Sequence, residues 1–250
     1  PNNKKSGETI QEPYSISIRK NLPQITKQLK DSNYSIIGSP TIIRVSNKFI
    51  AIGTSHGFIF IFHNIKNNRS MKYILGSMES GVHTVTALEF SKDSLWIAAG
   101  YSNGKITIWN PNNSNQIKSF NFVIGNPVTH IAFLHSSNQR LVATNLMGDV
   151  KLFSMRKLFK FYLIDSNLVI DGSKTGPVID CAVLPRANAL HPTQAYTLVA
   201  IATKQRVYIA ALEPEIKILY TFGVVKKSAS NPNINAYVYL AWRPVIPKAH

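Results

Sequence analysis

The side chains that could do chemistry are few and scattered. Histidines stand at positions 56, 63, 83, 130, 135, 191 and 250. None sits beside another histidine or a cysteine at the spacing that zinc ligands need. The single cysteine, Cys181, lies inside the apolar run 178–184, where it reads as a small hydrophobe rather than a reactive thiol. One cysteine also excludes a disulfide framework and favours a cytosolic setting. Only twelve acidic residues are present, so paired carboxylates are scarce. Neither a Gly-x-Ser-x-Gly elbow nor a Gly-x-x-x-x-Gly-Lys phosphate loop occurs. The expectation is a chain with no catalytic residue, no metal and no cofactor, working by binding.

What it would bind is suggested by charge. Lys plus Arg outnumber Asp plus Glu by 28 to 12, a formal net charge of +16. That excess attracts acidic proteins, phospholipid headgroups or nucleic acid. No nucleic-acid-binding motif accompanies it. An acidic segment elsewhere in a longer protein would also balance it. Residues 155–162, MRKLFKFY, concentrate basic and aromatic side chains. They read as contact with an acidic or membrane surface, or as an outer strand with exposed lysines and buried aromatics. The run 66–72 reads as a solvated loop. No apolar run reaches the roughly 20 residues that span a bilayer, and no secretory signal is visible, so membrane attachment would be peripheral.

The elements that would carry these residues repeat. Segments 50–62 (IAIGTSHGFIFIF), 97–109 (IAAGYSNGKITIW), 141–153 (LVATNLMGDVKLF) and 198–210 (LVAIATKQRVYIA) share one plan. Each has a short apolar strand, a polar turn and an alternating strand. The matching positions Gly53, Gly100, Thr144 and Ile201 are 47, 44 and 57 residues apart. A period near 40–45 with four strands per unit marks propeller blades. A long loop over 185–197 accounts for the last interval. A further strand precedes each hairpin, at 41–45, 85–90, 128–133 and 178–184, and a fifth copy at 236–242 opens another blade. Gly57, Gly104 and Gly148 fill turns that need φ > 0. The fourth turn has Lys204, Gln205 and Arg206 instead and should be looser.

The reading is therefore all-β, with about four to five blades visible over 38–250. These are expected to be part of a longer domain, since an open set leaves a blade face unburied. Residues 1–37 read as a polar extension and a short helix: Pro23 suits a first turn, and Leu22, Ile25 and Leu29 share a face that would pack on the propeller. By repeat phase Thr54, Ser55, His56, Ser102, Asn103, Lys204 and Arg206 share one rim, the usual place for partner contacts.

Residues 83–110 resemble the WD-repeat pattern: a histidine before the first strand, Phe-Ser-x-Asp at its end, a glycine turn and a closing Trp109-Asn110. The resemblance implies that His83, Asn103 and Trp109 join in a buried hydrogen-bond network, weakened because Asn replaces the usual aspartate. It also implies that the visible blades are part of a seven-bladed propeller. Segments 50–62, 98–109 and 171–181 (DGSKTGPVIDC) further resemble the N-terminal propeller of the vacuolar protein sorting-associated protein 8 family, subunits of the CORVET endosomal tether. A subunit of the sister tether HOPS has a similar turn and stays a rival. The family implies a non-enzymatic subunit on the cytoplasmic face of endosomes. Its expected partners are an early-endosomal Rab GTPase and other CORVET (class C) subunits, with peripheral membrane contact. The alternative is a generic WD-repeat scaffold for an acidic partner or nucleic acid.

Overall fold

A computed structural model describes residues 23–31, 34–64, 71–76, 83–135, 137–184, 196–223 and 240–242. Four antiparallel sheets of four strands follow one another along the chain. Blade 1 is β1 (Pro40–Val45), β2 (Phe49–Thr54), β3 (Ile59–His63) and β4 (Met71–Leu75). Blade 2 is β5 (Val85–Phe90), β6 (Ile97–Tyr101), β7 (Lys105–Trp109) and β8 (Gln116–Asn121). Blade 3 is β9 (Val128–Leu134), β10 (Ser137–Asn145), β11 (Val150–Leu158) and β12 (Phe161–Ile170). Blade 4 is β13 (Val178–Val183), β14 (Thr197–Thr203), β15 (Arg206–Glu213) and β16 (Lys217–Gly223). The first three strands of each blade lie within a few residues of those the repeat predicted; the fourth strands, β4, β8, β12 and β16, were not placed by it, and Met71 and Lys72, read as loop, begin β4. The loop over 185–195 and the first residues of the fifth copy, 236–239, lie outside the described residues, as does most of the run 66–72.

The second and third strands of a blade are buried on both faces, which is why they read as nearly unbroken apolar runs. Their side chains alternate between two interfaces. Phe49, Ala51, Ile59 and Ile61 pack towards blade 2 with Val85, Leu88 and Ile97. Ile50, Ile52, Phe60 and Phe62 point the other way. Ile106, Ile108 and Phe122 meet Val128, Phe133, Leu141 and Phe153 between blades 2 and 3. Val142, Val150 and Leu152 meet Val178, Val199 and Ile201 between blades 3 and 4. Each fully buried Ile, Leu or Phe here contributes roughly 1.5–3 kcal/mol.

Helix α1 (Pro23–Asp31) and the single turn α2 (Tyr34–Ile37) cover the far face of blade 1. Ile25, Leu29 and Ile37 fill it, and Gln28 Oε1 accepts from the backbone N–H of Met71 at 2.9 Å. The open blade face expected from the sequence is thus covered in part at this end by the chain's own N-terminal segment, with Ile43 and Val45 left exposed. Leu22, the third residue of the expected helix face, lies outside the described residues.

The blades are also sewn together near the channel. Thr41 Oγ1 donates to the Val85 carbonyl at 2.7 Å, and Arg44 Nε to the Leu88 carbonyl at 2.9 Å. At the other end Leu240 N donates to Asp180 Oδ2 at 2.7 Å, and Trp242 Nε1 to the Ala182 carbonyl at 3.0 Å. The described end of the fifth copy therefore docks on β13 much as β1 docks on β5.

Candidate partner-binding rims

Antiparallel order places the turns on two rims. The turn after each second strand shares one rim with the links between blades. The turn after each first and third strand lies on the opposite rim.

On the first rim, three turns use left-handed glycines, with φ of +89° at Gly57, +84° at Gly104 and +97° at Gly148. The reason is close approach as well as dihedral freedom: a Cβ on Gly104 would overlap the Val123 carbonyl, and one on Gly148 the Gly176 carbonyl. The fourth turn is not looser, as its sequence had suggested. Thr203 Oγ1, buried, accepts from Arg206 N at 3.1 Å and from Gln205 N at 3.4 Å, which closes the turn without a glycine.

Most predicted rim residues are engaged within the chain. Thr54 is only 1% exposed; its hydroxyl accepts from Phe58 N at 3.1 Å, so it presents no side chain to a partner. Ser55 Oγ accepts from Ser39 N at 3.0 Å, its carbonyl accepts from Thr84 Oγ1 at 3.1 Å, and His56 Nδ1 lies 3.1 Å from the Ile36 carbonyl. The Gly-Thr-Ser-His-Gly turn therefore holds the N-terminal segment in place, and Gly38 beside it leaves no room for a Cβ. Ser102 and Asn103 are half-buried; Asn103 Oδ1 accepts from Lys105 N at 3.1 Å. Lys204 and Arg206 are exposed. The sequence reading passed over three apolar side chains here. Ile124, Leu146 and Met147 are exposed, and Leu146 N donates to Asn126 Oδ1 and to the Pro127 carbonyl, which brings the two loops together. Hydrophobes inside glycine-containing turns, where polar residues are the rule, were the available signal.

The implied network of His83, Asn103 and Trp109 does not form. Trp109 Nε1 is buried without a hydrogen-bond partner among the described residues. The Tyr101 hydroxyl, pushed up to about 12 by burial, approaches Trp109 and Thr107, but not in bonding geometry for the indole N–H. The Phe-Ser-x-Asp end of β5 instead closes a local turn: Ser91 Oγ donates to Asp93 Oδ1 at 2.7 Å and accepts from Trp96 N at 2.9 Å. The polar cluster lies one blade on. Thr129 and Thr144 hydroxyls are 2.6 Å apart, and His130 Nδ1 is 3.0 Å from Thr144 Oγ1.

A cavity of about 390 Å³ opens between the first strands, lined by Arg44, Glu89, His130, Asp180 and Cys181 among others. Burial raises Glu89 above the usual carboxylate range, against the pull of Arg44 3.3 Å away. Burial lowers His130, against the pull of Asp180. Burial, with Asp180 beside it, pushes the half-buried Cys181 thiol up to about 12, away from nucleophile chemistry. Among the described residues no three of His, Cys, Asp and Glu gather to hold a metal ion. No described helix is long and apolar enough to cross a membrane.

Four-stranded blades around a shared channel, with close-packed hairpin turns on one rim, define a β-propeller of the WD-repeat class. The family model described as Vps8 beta-propeller matches residues 16–250, and the chain belongs to that family. It is 26% identical over 212 residues to the vacuolar protein sorting-associated protein 8 homologs of Mus musculus and Homo sapiens, covering 82% of this chain. The Drosophila melanogaster homolog is 27% identical over 176 residues, covering 68% of this chain. The chain spans 14% of the length of each of these relatives. Among solved structures, the β-propeller domain of Cps50 (Swd1) from Myceliophteria thermophila superposes with a TM-score of 0.57 at 13% identity, over 74% of this chain and 56% of that one, a likeness of fold alone.

Proposed function

We infer that this propeller is the recognition module of a non-enzymatic, CORVET-like endosomal tethering subunit, and that it binds an early-endosomal Rab GTPase in its GTP state. The other tether subunits and the cytoplasmic face of the endosome follow as its partners and place. The observation that carries the reading is the family match over residues 16–250. The first rim is the proposed contact. Ile124, Leu146 and Met147 offer apolar anchors, and Lys204 and Arg206 offer charge for steering. Ser55, His56, Ser102 and Asn103 fix the shape of the turns between them.

The test is binding of the full-length protein to an early-endosomal Rab loaded with a GTP analogue or with GDP, at physiological salt. The expected result is a preference of about tenfold or more for the GTP form, lost in L146D/M147D and slowed in association by K204E/R206E. Equal binding to both nucleotide states, or none by folded protein, would overturn it. Steeply salt-dependent binding to generic duplex DNA would favour a nucleic-acid scaffold instead.

A further inference from the structure

The run 155–162 is not the single outer strand with exposed lysines and buried aromatics that one reading of the sequence gives: it is the tip of the β11–β12 hairpin. In blade 2 the third and fourth strands are 5 and 6 residues long; in blade 3 they are 9 and 10. Strand β10 pairs with β11 only as far as Arg140 opposite Ser154. Pairing of β11 with β12 continues beyond, through Met155–Ile164, Arg156–Leu163 and Lys157–Tyr162 to Leu158–Phe161. A two-stranded ribbon therefore projects from the second rim, opposite the turns proposed to meet the GTPase.

The two faces of the ribbon differ. Cross-strand pairs alternate sides. Met155, Ile164 and the Lys157–Tyr162 pair turn towards blade 2, where Tyr162 meets Trp96 edge-on at 5.7 Å while Lys157 stays exposed. Leu158, Phe161 and Leu163 turn outward and are exposed, Phe161 by 74%. At the tip Phe159 is 88% exposed and held at φ +54°, a left-handed conformation that bulky residues rarely adopt. Arg156 is paired with Asp165 at 2.9 Å. Lys157 and Lys160 are exposed, and among the described residues no acid pairs with either.

Exposed apolar residues at Ile43 and Val45, or at Tyr220 and Phe222, belong to the outermost described blades. Blade 3 has a described neighbour on each side, so a further blade does not account for its ribbon. An aromatic tip flanked by cations matches one surface chemically: the headgroup–acyl boundary of an anionic bilayer, where rings enter the apolar layer and lysines meet phosphates.

We propose that the β11–β12 ribbon is a membrane-docking element, with Phe159 and Phe161 inserting and Lys157 and Lys160 binding anionic headgroups. This does not rest on recognition of the GTPase, which uses the opposite rim.

The experiment is co-sedimentation of the full-length protein with phosphatidylcholine vesicles, with or without about 30 mol % phosphatidylserine. Wild type should bind the anionic vesicles and not the neutral ones. F159S/F161S should lower that binding about tenfold or more, and K157E/K160E should remove its salt-sensitive part. A fluorophore placed by F159C that reports polarity should shift to the blue on those vesicles. Both double variants should keep wild-type melting and wild-type binding to the GTPase in solution, which separates this proposal from the previous one. Equal vesicle binding by wild type and variants, no vesicle binding at all, or no fluorophore shift would overturn it. So would a loss of assembly with tether subunits in the absence of lipid, which would assign the ribbon to a protein partner.

Discussion

The bonded polar turn residues of the first rim and the β11–β12 ribbon of the second use their side chains in opposite ways. On the first, polar side chains are consumed within the chain: Ser55 and His56 hold the N-terminal segment, Thr203 closes a turn, and Asp149 accepts from Gly172 N at 3.0 Å. On the second, the β11–β12 ribbon leaves Phe159, Phe161, Lys157 and Lys160 facing solvent. A conspicuous motif can thus be structural. A run that looks like an ordinary outer strand can be the surface with side chains to spare.

The comparison breaks most sharply at Gly104. Its positive φ and the Val123 carbonyl beside it leave no room for a methyl group. Gly104→Ala should cost roughly 3 kcal/mol in chemical denaturation. A loss under about 0.5 kcal/mol would mean that the first rim is not packed as described.

His130 lies between the rims, facing Asp180, Arg44 and the backbone of Ile179. Its folded pKa is lowered by burial, so the unfolded chain binds the proton more readily. Stability should be intact above pH ~6.5 and fall as the pH drops below it. His135 is lowered too, by burial and Lys92, and adds to the same slope. Denaturation midpoints at pH 7 and pH 5.5 should diverge more for wild type than for His130→Gln. Equal slopes would remove His130 from the account.

Ser55→Ala removes the acceptor for Ser39 N and should cost about 0.5–1 kcal/mol. Hydrogen exchange should rise at residues 36–39 before it rises in the blades. Unchanged exchange there would deny the turn its holding role. At the small end, Phe159→Gly should leave stability within about 0.5 kcal/mol of wild type, because the side chain is 88% exposed. A larger loss would mean that the ribbon has a partner within the chain.

The first three strands of each blade and the turns at Gly57, Gly104 and Gly148 were legible in the residues themselves, while the fourth strands were not. Alternating burial and left-handed turns are local constraints that each leave a mark of one or two residues. Sequence could also place Thr54, Ser55 and His56 on one rim by repeat phase. It could not say that they are already bonded, because Ser39 and Ile36 reach them only through the fold. The same holds for Trp109, whose indole N–H is left unbonded by the placement of its neighbours in the fold. It holds too for Phe159 and Phe161: residues of an outer strand are buried or bare according to how far the neighbouring strand β10 extends. That is a property of tertiary register, not of composition.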